Sequence, residues 1–522
     1  MAYIQSIDRE SDEALLLQRR LTNARQHLFE SSAFGEVLKY LPLGTLVTVV
    51  QLAKEWQRAS VISFAITKLN EAIVIKVSEP KAIMTWPYLG SIRSLRLHEA
   101  KKHIKDTIGI LDRIPRLQSL DLSDNRLGAR GIKALLPVLA RLTQLEDLNL
   151  DYNLIRDKDI KALAPVISRL RSLNLRNNYL GDRGAKSLSL IIAHSTQLQS
   201  LDLSSNYTHA EGIMAIVPVL SHLTQLQSLN LNGNMIGSKG FEALAPTLSE
   251  LTQIQSLYLG YNNDYSLPID TMTISVLSGA LTQLTQLRSL DLSRIEIDEG
   301  ATRVLVPALA HLTQLQSLDL SGINFGEEAI KVLAPVLAQL TQLQSLIFGY
   351  NHIGPNGLKA LVPALTNLVQ LKHLDIWANN IGAEGARVLA PALACLIQLQ
   401  SLDLQQNDLG NEGIKALSPA LSQLTHLQSL NLQYNQIDTD GIEALVKALY
   451  MMTELDSLNL HSNYFGDDGI EALIPVLSRL TRLRNLDLLS TKISAIEKVT
   501  AVLCPLGSKL KLKIGSIPYR DT

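Results

Sequence analysis

Residues 117–144 read LQSLDLSDNRLGARGIKALLPVLARLTQ, and this stretch decides the fold. In its first nine residues leucines alternate with polar side chains, the period-two pattern of a strand with one buried face. In GIKALLPVLARL, residues 131–142, apolar side chains recur at helical spacing. The unit returns along the chain. Counted from the first residue of LxxLxLxxN, repeats open at Leu117, Leu145, Leu170, Leu198, Leu226, Ile254 and Leu287. They continue at Leu315, Leu343, Leu371, Leu399, Leu427, Leu455 and Leu483, which makes fourteen, with a degenerate unit ahead of them at Ile92. The step is 28 residues except twice: 25 after Leu145 and 33 after Ile254.

One strand and one helix cannot bury enough apolar surface to offset the entropy of ordering their own backbone. Only stacking on neighbouring units closes that gap, so stability accumulates from repeat to repeat. At 522 residues the chain also exceeds what one compact core serves. Helices are wider than strands, so the stack is expected to curve with a parallel sheet inside and helices outside. The Asn that closes LxxLxLxxN is expected to point inward and bond to backbone groups left open by the turn. It is present in eleven of the fourteen units, from Asn125 to Asn463, and is replaced by Ile295, Ile323 and Thr491. The two isoleucines follow directly on the 33-residue step, whose insertion, residues 262–277, is expected on the rim. A recurring Pro in the helical half, such as Pro137 and Pro363, implies a tolerated bend.

With LxxLxLxxNxIGxxGxxxLxxxLxxL at 28 residues, the chain resembles the ribonuclease-inhibitor-like class of leucine-rich repeats. This class includes the repeat regions of innate-immune receptors and of Ran GTPase-activating protein. The resemblance covers about 400 residues and implies an α/β fold. That fold is a right-handed solenoid, or horseshoe, with a concave parallel β-sheet and convex helices. Arrays of this class generally bind proteins along the concave face or rim, and the class itself names no ligand.

What the strands turn outward is therefore the informative signal. In most repeats the outward positions hold Gln, Ser, Asp or Asn. Between the sixth and twelfth repeats aromatics enter: Tyr258, Tyr261, Tyr350, Trp377 and Tyr434, with Ile347 and His373 nearby. Tyr152 stands alone earlier. Exposed Trp and Tyr on a polar sheet have the make-up of a binding hot spot. Asp375 and Arg294 are placed to supply oriented charge at its edges. The expected partner is a protein held on this face by a monomeric chain.

Composition narrows the alternatives. Lys plus Arg number 48 and Asp plus Glu 49, a formal charge of -1, and no basic stripe points to nucleic acid. Two cysteines, Cys395 and Cys504, exclude a disulfide framework and fit a reducing compartment. Cys395, within LACLIQL, is expected to be a buried structural thiol. The start, MAYIQSIDRESDEALLL, is acidic where a signal peptide is basic. The most apolar stretch, 41–53, is too short to span a bilayer. Together these predict a cytoplasmic chain, or one delivered into a host-cell cytosol, without membrane insertion. No nucleotide loop, HExxH or CxxC pattern occurs. No catalytic, metal or cofactor residue is assigned, and an enzyme is not expected. Asn206, in a glycosylation-type sequon, is a repeat Asn and is expected to be buried.

Ahead of the repeats the pattern changes. Residues 11–30 read as an amphipathic helix with Ser11 as N-cap. Residues 33–60, AFGEVLKYLPLGTLVTVVQLAKEWQRAS, hold short apolar helices broken at Leu41-Pro42-Leu43-Gly44. The run Val37, Leu38, Tyr40 and Leu41, then Pro42, then Leu46, Val47, Val50 and Leu52, then Lys54, Trp56 and Arg58, resembles the later two-thirds of an F-box. An opening Leu-Pro, usual in that family, is missing from residues 28–34. The resemblance implies docking on a Skp-type adaptor of a cullin ubiquitin ligase, through Leu38, Leu41, Pro42, Leu46, Val47, Val50 and Trp56. The other reading is a helical cap on the apolar edge of the first repeat. The expected organisation is an N-terminal helix (1–30), an F-box-like all-α module (31–86), the repeats (87–504) and a C-terminal cap and tail (505–522). It suits a substrate receptor, including a bacterial effector acting in a host cell.

Overall fold

The computed structural model describes residues 73–76, 90, 92–263, 269–494 and 510–515. They fall into two compact units, divided between Tyr179 and Leu180. The F-box-like residues Leu38, Leu41, Pro42, Leu46, Val47, Val50 and Trp56 lie outside the described residues.

In the first unit five strands form one parallel sheet in chain order: β1 (Ile73–Lys76), β2 (Ser94–His98), β3 (Ser119–Asp121), β4 (Asp147–Asn149) and β5 (Ser172–Asn174). Helices α1 (Ile104–Asp112), α2 (Gly128–Arg141) and α3 (Asp157–Ile167) alternate with the last four. β1 pairs Ile73 with Leu95, so the sheet begins inside the stretch expected to be a helical module. In the second unit the same alternation runs from α4 (Gly181–Ile192) and β6 (Ser200–Asp202) to α14 (Gly466–Leu477), β16 (Asn485–Leu489) and β17 (Lys511–Gly515). Here the strands that matter below are β8 (Ser256–Tyr258), β9 (Ser289–Asp291), β10 (Ser317–Asp319), β11 (Ser345–Ile347), β12 (His373–Asp375) and β13 (Ser401–Asp403). Each pairs in parallel with the next. The 33-residue step does not interrupt the sheet, because Ser256 still faces Ser289.

Each three-residue strand is the centre of LxxLxLxxN. Its middle leucine is buried, as at Leu318, Leu346 and Leu374, while its flanking residues stay half open. Those leucines meet one stripe of each helix. In α2 the stripe is Ile132, Leu135, Val138 and Leu139. The sheet therefore has one face closed by helices and one open face. Prolines do sit inside the helices, and a hydroxyl one turn on often donates to the proline carbonyl, as Ser422 Oγ to Pro419 at 2.7 Å. Cys395 corrects an expectation. It is exposed at the end of α11 (Gly382–Cys395), off the stripe of Ala386, Leu389 and Leu393.

The repeat asparagines form a buried ladder. Asn407 Nδ2 donates to the carbonyls of Ile376, Leu404 and Gln405 at 2.9–3.2 Å. Its Oδ1 accepts the Asn379 N–H at 2.9 Å. The Asn351, Asn379 and Asn435 amides repeat the scheme. Asn206 is fully buried, as expected. Ile295 and Ile323 interrupt the ladder and are themselves buried. Thr491 keeps one bond, from its hydroxyl to the Leu488 carbonyl at 2.8 Å.

Candidate protein-binding face

The eighth residue of LxxLxLxxN turns the chain out of the strand, and in all fourteen repeats it has a positive φ. Glycine fills that position at Gly233 and Gly322 without strain. Elsewhere a side chain stands there at a cost of roughly 1–2 kcal/mol. In the second unit the position carries Tyr261, Arg294, Tyr350 and Tyr434 at φ 52–55°. Three exposed tyrosines and an arginine thus occupy a turn that glycine or asparagine would fill more easily. The same turn carries Ala378, Gln406, Ser462 and Ser490, so the conformation belongs to the repeat and it is the side chains that set these four apart.

Four residues converge. The guanidinium of Arg294 lies 5.6 Å from the Tyr261 ring, 5.2 Å from the Tyr350 ring and 5.9 Å from the Trp377 ring. Tyr350 and Trp377 stack on each other at 5.5 Å with an interplanar angle of 26°. Two glycines make the convergence possible. Gly322 lets the Arg294 side chain cross its backbone, since a Cβ there would stand 3.2 Å from Arg294 Cδ. The Trp377 ring lies over Gly349 so closely that a Cβ would sit 2.0 Å from it. Tyr261 and Tyr350 remain 54% and 42% exposed, so the assembly is a platform facing solvent. A cation over aromatic faces contributes roughly 0.5–2 kcal/mol, and here one cation is shared by three rings.

Arg294 is thus the centre of the patch; the sequence had placed it at an edge. The reason is reach, because its side chain spans the gap left by Gly322. Tyr258, half-buried on β8, makes no ring contact with the platform among the described residues. Tyr434 stands apart and packs edge-on against His461 at 5.4 Å. His352 joins the platform's rim, 5.3 Å from Tyr350. In the first unit Tyr152 has its own smaller contact, with Arg126 over its ring at 5.8 Å.

Beside the platform, the fifth repeat position forms a row across β9 to β13: Asp291, Asp319, Ile347, Asp375 and Asp403. Asp375 accepts the Trp377 N–H at 3.0 Å, which ties the row to the platform. Burial, and next the Asp291 charge, push the Asp319 carboxyl up to about 6. Burial, and next the Asp403 charge, push Asp375 up to about 7. Asp403 is raised too, chiefly by burial. His373, at the foot of β12, is exposed. The residues that the sequence reading missed are Asp319, Gly322, Gly349 and His352. Gly322 and Gly349 were visible as glycines where most repeats hold a polar residue, whereas Asp319 is the repeat-typical residue and carries no such signal.

Comparison with known proteins puts a family to this fold. Residues 339–362, 370–390, 398–418 and 423–446 match the leucine-rich repeat model. The chain is a leucine-rich repeat protein. Residues 88–270 also match the model of the PRAME C-terminal domain. No curated protein sequence matches the chain. Among solved structures, similar ones include an internalin from Listeria monocytogenes, at 20% identity and TM-score 0.39, covering 91% of this chain and 95% of that one. A leucine-rich repeat protein from Leptospira interrogans is 20% identical with TM-score 0.38, covering 87% and 98% respectively. The plant peptide hormone receptor RGFR1, solved in complex with RGF2, is 16% identical with TM-score 0.36, covering 87% and 81%.

Among the described residues no group of three or more His, Cys, Asp or Glu could hold a metal ion. None of their helices is long and apolar enough to cross a membrane.

Proposed function

We propose that this leucine-rich repeat protein captures another protein on the open face of β8 to β12. The observation that carries this reading is the platform: Arg294 over Tyr261, Tyr350 and Trp377 on the open face. Tyr, Trp and Arg carry most of the energy in protein interfaces when packed in a rigid, central cluster. Here the cluster is already ordered, so little entropy is lost on binding. Full-length protein used as bait should retain partners that a Tyr350→Ala/Trp377→Ala chain does not. Equal retention by both chains would remove the face from the account.

Residues 37–60 extend the proposal. Their spacing supports an F-box-like segment that docks on a Skp-type adaptor, making the captured protein a substrate for ubiquitin transfer. The order of the chain, F-box-like segment first and repeats after, suits such a receptor. Full-length protein should co-elute with a Skp adaptor, and Leu41→Ala/Pro42→Ala should abolish this. Failure of the native chain to co-elute would leave a binding scaffold whose N-terminal helices only cap the repeats.

A further inference from the structure

We propose that the captured protein presents a basic side chain, arginine or lysine, that lies along Ile347 with its charged head between Asp319 and Asp375. This rests on the reading of the open face as the binding surface, and it names what that surface selects.

The geometry starts from register. Asp319 on β10 pairs with Ile347 on β11, which pairs with Asp375 on β12. Two carboxylates therefore flank one aliphatic side chain, with their backbones about 10 Å apart at two strand spacings. A cation above Ile347 stands about 5 Å from each side. An arginine or lysine also carries an apolar stem, which Ile347 can receive.

The same repeat position elsewhere shows how such a carboxylate is satisfied within the chain. Asp121 meets Arg96 at 3.1 Å, and Asp487 meets Lys513 at 2.9 Å. Asp202 and Asp403 accept amide bonds from Asn230 and Asn431 at 2.9 and 2.8 Å. Asp291 accepts one from Asn232. Asp319 and Asp375 differ. Asp319 Oδ1 accepts the N–H and hydroxyl of Ser321 at 2.9 and 2.7 Å, and Asp375 Oδ1 accepts the Trp377 N–H at 3.0 Å. Among the described residues neither Oδ2 has a further hydrogen bond, and neither carboxylate has an ion pair. Asn230 and Asn431 each serve the carboxylate one repeat earlier; at the matching places Ile347 follows Asp319 and Asp403 follows Asp375, and neither side chain can donate an amide bond.

The cations nearby are committed or displaced. Arg294 lies over its rings, and Lys372 Nζ donates to Gln344 Oε1 at 3.0 Å. Arg288 belongs to the second repeat position, beyond the end of β9. A partner that covered these carboxylates with apolar surface would strand them without a hydrogen-bond partner or counter-charge. A phosphate backbone would meet repulsion. A single metal ion cannot reach two groups so far apart, since its oxygen ligands stand at roughly 2–2.6 Å. A basic protein side chain meets the geometry and the charge together. The upward displacement of both carboxyls comes from burial first and from the neighbouring carboxylates Asp291 and Asp403 next, a setting that a cation would relieve.

The test is a display selection of short random peptides on the full-length protein, counter-selected against Tyr350→Ala/Trp377→Ala. Recovered peptides should share an arginine or lysine. Their affinity should fall about tenfold or more on Asp319→Asn/Asp375→Asn, an isosteric change. Replacing the peptide's basic residue by methionine should make native and Asn chains bind alike. Ile347→Arg, which places a cation in the gap from the chain itself, should block the same peptides while the unfolding midpoint holds. Recovered peptides without a basic residue, or indifferent to both sets of variants, overturn the inference and leave the face as a binding site. If no peptide distinguishes native from Tyr350→Ala/Trp377→Ala, the reading of the face fails with it. Retention of single-stranded RNA on this face in place of peptides also overturns the inference.

Discussion

Gly349 supports the platform by having no side chain. The Trp377 ring occupies the place of its Cβ, and its φ is not in the left-handed region, so alanine suits the backbone there. Gly349→Ala should therefore act through Trp377 alone. The expected result is a shift in tryptophan emission and loss of partner binding, with stability changed by no more than about 1 kcal/mol. An unchanged emission spectrum would mean the ring does not rest there. Asp375 offers a second test at this scale. Its carboxyl is raised in the folded chain to about 7 by burial and by Asp403, with Asp319 a further acidic neighbour beyond Ile347. The folded protein thus holds an extra proton between the unfolded value near 4 and about 7. The associated stability is full below about pH 4 and is lost as pH rises through 7. Asp375→Asn should raise stability at pH 8 by roughly 1 kcal/mol, discounted for partial exposure, and leave it unchanged at pH 4. Urea unfolding at the two pH values reads the difference, and equal increments would refute the assignment.

At the scale of the element, the ladder is the feature most plainly written in the chain. The repeat Asn was legible because a buried amide must be satisfied and only backbone carbonyls lie within reach. Asn407→Ala removes three donations and leaves the Asn379 N–H without its acceptor. The expected loss is about 2–4 kcal/mol in denaturant unfolding, and a loss below about 0.5 kcal/mol would show that water replaces the amide. Strands and helices were legible for the same kind of reason, since their periods of 2 and 3.6 are fixed by geometry. The platform was only half legible. Its rings were visible as departures from a polar consensus, but Arg294, Tyr350 and Trp377 sit in the seventh, ninth and tenth repeats. Nothing in a linear pattern says that an arginine crosses a glycine to meet them. Cys395 was misjudged because a short apolar run does not reveal which residues of a helix leave its buried stripe.

On the scale of the whole molecule, the 25-residue step after Leu145 and Thr491 stand apart, while the other irregularities share one stretch. The 33-residue step, two of the three missing ladder asparagines and the glycines under Arg294 and Trp377 fall between Ile254 and Trp377. A repeat array tolerates local departures because each unit depends only on its neighbours, so one stretch can specialise while the rest supplies stability. That stretch is where the partner is placed here. Hydrogen exchange on the full-length protein, with and without a partner recovered by it, tests this most directly. The account predicts new protection at residues 258–261, 291–294, 347–350 and 375–378. Protection confined to the helices or to residues 1–86, with these four segments unchanged, would contradict it.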